Sequence, residues 1–344
     1  MLASSKKVLG IELVIGYNKN QDIGVQSMKK IGVLTRDCAG INTAIRAVVR
    51  TAAFYSIEVL GIIKGYDGLI DRELVELDRR SVSGILNRGG TILKTARAKR
   101  FLTERGQNQA VKTIADNNID GLIVIGGNGS LTGAHILATE YNIPMIGIPA
   151  TIDNDINGVN MSIGADTAVN VAVEALDKIR DTATSLERVF VVEVMGRDCG
   201  YIALQVALAG GCEEVLIPER ETAMAKICVD IVEGSRQGKI SWIVIVAEGS
   251  AKGNDVAETI VKKTGLETRL TVLGYIQRGG VPTAFDRLLA ARLGSYAVEI
   301  LKDGQTDMCV GYTDNELITI PLEQAIQPKK IDYERDYRLI KILT

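Results

Sequence analysis

The 344-residue chain holds one histidine, one tryptophan and four phenylalanines, and each scarcity removes a class of function. With His135 alone, a Ser-His-Asp triad would use the only imidazole, and a multi-histidine metal site cannot be assembled. His135 falls in the middle of a helical stretch, where a structural role is expected, so the chemistry must rest on carboxylates, arginines and backbone N–H groups. Five cysteines (Cys38, Cys199, Cys212, Cys228 and Cys309) form no C-x-x-C pair and read as reduced thiols of a cytoplasmic protein. Apolar runs such as 242–247 are of strand length, so no transmembrane helix is expected. A formal net charge of −2 gives no electrostatic reason for nucleic acid or a membrane as a partner. The opening residues carry no signal-peptide pattern.

What is present is a substantial apolar fraction, 46%, in a length that accommodates two domains. Short apolar runs alternate with amphipathic stretches from residue 28 onward. Strands are expected at 31–34, 57–63, 121–125, 145–148, 189–194, 214–217, 240–247 and 269–273. Helices are expected at 42–54, 103–117, 130–141, 167–180, 201–208, 224–237 and 285–301. The alternation implies an α/β fold of mostly parallel sheets, two of them face to face with ligands between. Residues 1–27, with one apolar piece at 8–15, form an extension without assigned role, and 329–344 are expected as a surface helix or tail.

The chain is organised around 121–155. A nearly all-apolar strand runs into Gly126-Gly127-Asn128-Gly129-Ser130, with Ser130 a candidate N-cap for the following helix. Glycines and a helix N-terminus together suit a phosphate. The next strand ends in Pro149-Ala150-Thr151-Ile152-Asp153-Asn154-Asp155, and the right-handed crossover brings this acidic turn to the same sheet edge. An anion cradle and two carboxylates should therefore face one crevice. The Thr35-Arg36-Asp37-Cys38-Ala39-Gly40 turn, with one glycine, is a poorer cradle.

These motifs, with Met195-Gly196-Arg197 and Gly274-Tyr275-Ile276-Gln277-Arg278-Gly279-Gly280, make the chain from Met28 onward resemble the ATP-dependent 6-phosphofructokinases of bacterial type. The resemblance implies two similar three-layer α/β domains with the active site in the cleft between them. Residues 28–163 plus 277–327 would form the larger, ATP-binding domain, and 164–276 plus 328–344 the smaller one, for fructose 6-phosphate. It further implies transfer of the γ-phosphoryl of Mg-ATP to the 1-hydroxyl of fructose 6-phosphate, with Asp153 as catalytic base beside Thr151 and Arg197.

By the same resemblance, Thr151, Ile152, Met195, Gly196, Arg197, Glu248, Tyr275, Gln277 and Arg278 match sugar-phosphate contacts within a subunit, and Arg188 and Arg269 those made by a neighbouring subunit. A homotetramer is implied. Arg97 and the stretch Gly127, Asn128, Gly129 and Ser130 match ATP contacts, while Asn128, Asp153 and Asp155 stand at the magnesium site. Arg46, Arg50, Arg180 and Glu213 match an effector site for nucleotides or phosphoenolpyruvate.

The chain departs from the family at three places. The first turn is shorter and lacks the leading glycine pair of GGDxPG, Asn128 replaces the magnesium-binding aspartate of GGDGS, and Tyr275 replaces a histidine. A neutral amide in place of a carboxylate lowers the expected affinity for magnesium. Gly129 and Ala150 stand where pyrophosphate-using relatives carry aspartate and lysine, which leaves room for ATP. Two readings follow: an active kinase, slowed at its ATP and magnesium side, or a non-catalytic paralogue that binds sugar phosphate or nucleotide and regulates a partner. A dinucleotide-dependent dehydrogenase fits poorly, because the G-x-G-x-x-G spacing is absent after Ile125.

Overall fold

The computed structural model describes residues 28–344; the expected extension 1–27, with its apolar piece at 8–15, lies outside the described residues. The first unit opens with β1 (Lys30–Thr35), α1 (Ile41–Phe54), β2 (Glu58–Ile62), α2 (Tyr66–Asp71) and β3 (Leu74–Leu77). It continues through α3 (Glu104–Asp116), β4 (Gly121–Gly126), α4 (Asn128–Tyr141) and β5 (Met145–Pro149). A second run follows: α5 (Ala165–Leu186), β6 (Val189–Val194), α6 (Tyr201–Ala209), β7 (Glu214–Leu216), α7 (Met224–Arg236), β8 (Trp242–Ala247), α8 (Gly253–Thr264) and β9 (Thr268–Val272). The chain then returns to the first unit with α9 (Ala284–Lys302), β10 (Met308–Thr313), β11 (Glu316–Pro321) and α10 (Leu322–Ala325), and closes with α11 (Glu334–Leu343).

Two sheets result. The larger has the order β11-β10-β5-β4-β1-β2-β3 and the smaller β7-β8-β6-β9. Every pair in the smaller sheet is parallel, whereas β3 and β11 run antiparallel at the two edges of the larger one. Alternate residues of each central strand enter different cores, as a strand's period of two requires. Ile31, Val33, Ile123 and Ile125 point to an inner core shared with Phe190, Val192, Ile243 and Ile245 of the smaller sheet. Leu34, Leu122, Val124 and Met145 point outward, against α3, α4 and α10. Val189, Val191, Val244 and Val246 form the outer core of the smaller sheet with α7 and α8.

Both sheets are thus covered on both faces, giving two three-layer α/β units. Several expectations change in detail. A packed core that includes α1, α5, α6 and α9 joins the two sheets. The helix expected at 167–180 runs from Ala165 to Leu186. The segment expected as a surface helix or tail does form a surface helix, α11, mostly exposed but with Ile340 packed inward at 1% exposed. The β10–β11 hairpin has no counterpart in the sequence reading, because its strand β11, Glu316–Pro321, alternates weakly and lies at the edge.

Candidate active site

The carboxyl ends of β1, β4 and β5 lie side by side, and the turns that leave them build a cavity of about 380 Å³. From β4, Gly127 is the N-cap of α4, which starts at Asn128, so Ser130 sits within the first turn rather than at the expected cap. Ser130 N and Leu131 N bond Gly127 O at 2.9 and 3.1 Å, so the N–H groups of Asn128 and Gly129 at the start of α4 are the ones left to face an anion. A Cβ at Gly127 would stand 3.2 Å from Cβ of Thr151, while one at Gly129 would meet nothing within 4 Å. The glycines thus serve two purposes: the first lets two turns pack closely, and the second leaves space above the helix start.

From β5 comes the acidic turn. Asn154, 2% exposed and with φ of 52°, holds it in shape: its Oδ1 accepts from Ser162 N at 2.9 Å and its Nδ2 donates to Asn160 O at 3.1 Å. Asp153 and Asp155 therefore emerge from a fixed backbone. Asp153 is 4% exposed, and Cys199 Sγ donates to its carbonyl at 2.9 Å. Arg197 Nε approaches Asp153 Oδ2 at 3.6 Å. Burial first, and then repulsion from Asp155, raise the Asp153 pKa to about 6, against the pull of Arg197 and Arg278. Asn128 Nδ2 donates to Asp155 Oδ2 at 2.7 Å.

Four side-chain oxygens of the cavity lining are buried without a hydrogen-bond partner: Thr95 Oγ1 and, around the acidic turn, Asn128 Oδ1, Asp153 Oδ1 and Asp155 Oδ1. Buried acceptors left unpaired in one place mark a position for a cation or a donor that the protein alone does not supply. The donor set, two carboxylates and an amide oxygen, is hard and oxygen-only, and so fits magnesium bound together with phosphate.

The cavity wall is cationic. Arg36, Arg97, Arg197 and Arg278 all line it, and of these four only Arg197 approaches a carboxylate of the described residues within 4 Å. An uncompensated set of guanidinium groups around two carboxylates calls for a polyanionic ligand. The floor is aromatic: Tyr66 stacks on Phe101 with centroids 4.2 Å apart and donates its hydroxyl to Ser130 O at 2.7 Å. Sequence reasoning gave no role to Tyr66, Phe101, Asn154 or Cys199; of these only Asn154 lies inside a motif, the acidic turn.

The structure gathers Arg97, Gly127, Asn128, Gly129, Ser130, Thr151, Ile152, Asp153, Asp155, Arg197 and Arg278 around this one cavity. Four further expected residues stand behind or beside it. Glu248 Oε1 accepts from the backbone N–H groups of Gly196 and Arg197, at 3.3 and 3.1 Å, and Gln277 Oε1 accepts from Met195 N at 2.9 Å. Gly196, at φ 143°, admits no side chain, since a Cβ would lie 2.5 Å from Cys199 O. Tyr275 does not line the cavity and is 78% exposed.

Arg188 and Arg269 lie elsewhere. They sit at the opposite, amino-terminal ends of β6 and β9, where both pair with Glu267. Arg180 donates to the carbonyls of Gly210 and Gly211, and Glu213 pairs with Lys239 at 3.0 Å, beside β7. Arg46 and Arg50 are on α1, in the other unit. His135 Nδ1 lies 2.8 Å from Asp307 Oδ1, tying α4 to the start of β10 in the structural role expected of it.

The phosphofructokinase family model matches residues 30–301. The ATP-dependent 6-phosphofructokinase of Clostridium tetani is 49% identical over 319 residues, covering 92% of this chain and 100% of that one. That of Thermotoga neapolitana is 47% identical over 319 residues with the same coverage. Among solved structures, phosphofructokinase from Saccharomyces cerevisiae superposes with a TM-score of 0.81 at 35% identity, over 87% of this chain and 45% of the longer yeast chain. The pyrophosphate-dependent phosphofructokinase of Marinobacter aquaeolei shares the fold, with a TM-score of 0.78 at 23% identity over 92% of this chain and 91% of its own. With its glycine turn, acidic turn and arginine-lined cavity all inside the matched span, this chain belongs to the phosphofructokinase family.

Proposed function

We propose that the protein is an ATP-dependent 6-phosphofructokinase of glycolysis, which transfers the γ-phosphoryl of ATP to the 1-hydroxyl of fructose 6-phosphate and releases fructose 1,6-bisphosphate. The observation that carries this is Asp153: a buried carboxylate with one free oxygen, held up to about 6, on the wall of a guanidinium-rich cavity. A base of that strength is ionised at neutral pH yet basic enough to take a hydroxyl proton in the transition state. In-line phosphoryl transfer asks little else of a protein beyond position and charge. Arg97 and the start of α4 would hold the nucleotide's phosphates, and Arg197 and Arg278 would neutralise charge on the transferring group and on the sugar. Magnesium would be held by Asp153, Asp155 and the Asn128 carbonyl, and would supply charge neutralisation to the phosphates. Asp153 then accepts the 1-hydroxyl proton as the oxygen attacks phosphorus.

We assign residues 28–163 plus 277–327 to the nucleotide half and 164–276 plus 328–344 to the sugar half. Arg188 and Arg269 would reach the 6-phosphate bound to a neighbouring subunit of a homotetramer, and their distance from the cavity of their own chain supports this reading. Arg180 and Glu213 would meet Arg46 and Arg50 of another copy at an effector site. A cytoplasmic setting follows from the pathway.

One observation favours a second reading, a regulatory subunit without turnover. The Asn128 amide already satisfies one oxygen of Asp155, a bond that a carboxylate at 128 could not make. Fructose 1,6-bisphosphate formation by the purified chain, compared with Asp153→Ser, separates the two. Product from the parent chain and a loss of about 10³-fold or more in the variant, the size of effect expected of a general base acting with its surroundings, supports the kinase. No product from the parent, with fructose 6-phosphate still bound, supports the regulatory subunit.

A further inference from the structure

The first turn brings a cation where its sequence offers little else. Its one glycine, Gly40, has φ of 96° and packs inward, where a Cβ would lie 2.7 Å from Ile163 and 3.5 Å from Asp286. Asn42 next to it is 1% exposed, and its amide is taken by Arg88 O, Gly89 O and Ile92 N. Neither residue lines the cavity.

Arg36 does. Its backbone N–H is bonded to Ile125 O at 2.9 Å, and its stem crosses the end of β4, where a Cβ on Gly126 would stand 2.8 Å from Arg36 Cγ. Its Nη1 donates to Ala96 O at 2.7 Å. That bond tethers the guanidinium at the cavity wall, and the group has further donors beyond it. No carboxylate among the described residues pairs with it within 4 Å. Burial, and then the facing Arg197, Arg278 and Arg97, depress its pKa below the ordinary arginine value. Guanidinium groups crowded in this way repel one another until a multiply charged anion sits among them.

We propose that Arg36 anchors the polyphosphate of the bound nucleotide, supplying from a side chain the donors that a glycine-rich turn supplies from its backbone. The anchor rests on the kinase reading and adds to it a residue specific to this chain. Its effect is expected mainly on the nucleotide, since no ion pair joins Arg36 to Asp153 among the described residues.

The test is equilibrium binding of Mg-ATP and, separately, of fructose 6-phosphate to the full chain and to Arg36→Lys, Arg36→Gln and Arg36→Ala, with thermal melting as a folding control. Arg36→Gln and Arg36→Ala are expected to weaken Mg-ATP by about 10- to 100-fold, the range for loss of a charge-assisted hydrogen bond. Arg36→Lys should recover part of that loss, and fructose 6-phosphate affinity should stay within about twofold in all three, below the resolution of a real contact. If Arg36→Ala does not fold, the contrast between Gln and Lys decides. Mg-ATP affinity unchanged in the neutral variants, or both ligands weakened alike, overturns the anchor while the kinase reading stands. A parent chain that fails to bind Mg-ATP at all overturns both.

Discussion

Asp153 shows what burial does to one residue. A solvated aspartate titrates near 4, and here desolvation and the neighbouring Asp155 carry it to about 6. The raised value means that the active, ionised form is lost as pH falls through about 6 rather than about 4. We therefore expect the acid limb of kcat/KM for fructose 6-phosphate to have its midpoint near 6, with Arg197→Ala moving it higher because an opposing charge is gone. A limb that Arg197→Ala leaves unmoved would mean that Asp153 is not the base. The acidic turn and the glycine turn were both legible in the sequence, because their residues are contiguous. The bracing role of Asn154 was not, because its bonds to Asn160 and Ser162 depend on how the following loop folds back, and the Tyr66–Phe101 floor was not, because its two rings are distant in sequence.

Elements meet at a second buried carboxylate. Asp286, fully buried, accepts from Gly164 N at 2.9 Å, from Thr167 N at 2.8 Å and from the Thr167 hydroxyl. Thr283 caps α9, accepting from Asp286 N at 3.2 Å and donating to Asp166 Oδ2 at 2.6 Å. The N-termini of α5 and α9 are thereby clamped, and the carboxylate faces the positive end of α5. Asp286→Ala strands two backbone N–H groups and should cost about 2–5 kcal/mol in urea unfolding. A cost under about 0.5 kcal/mol, the level of an ordinary surface substitution, would refute the clamp. Strand and helix alternation was readable along the chain because apolar runs and amphipathic stripes are local. The hairpin β10–β11 and the full reach of α5 were not, since pairing partners and tertiary packing decide them.

For the whole molecule, the two-sheet α/β plan followed from alternation alone, while the inner core that joins the sheets depends on which strand face meets which helix. The smaller sheet ends in β9, an edge strand whose last residue, Val272, is 54% exposed and which is followed by exposed Tyr275 and Ile276, at 78 and 56%. Uncovered edges and exposed apolar side chains of this kind call for a partner. We expect light scattering to give four times the chain mass of 37.1 kDa. Arg269→Ala should raise the KM for fructose 6-phosphate by about 10-fold or more, as loss of one charged phosphate contact would, and leave that for ATP unchanged. A monomer with an unchanged KM would remove the shared-site reading.

The most direct test of the central claim is the rate of fructose 1,6-bisphosphate formation from fructose 6-phosphate and ATP, titrated with magnesium, for the purified chain beside its Asn128→Asp variant. Turnover by the parent chain is expected, with Asn128→Asp lowering the magnesium concentration for half-maximal rate by about tenfold, as an added carboxylate ligand should. No product from either chain at saturating magnesium would contradict the assignment of this cavity as a working phosphoryl-transfer site.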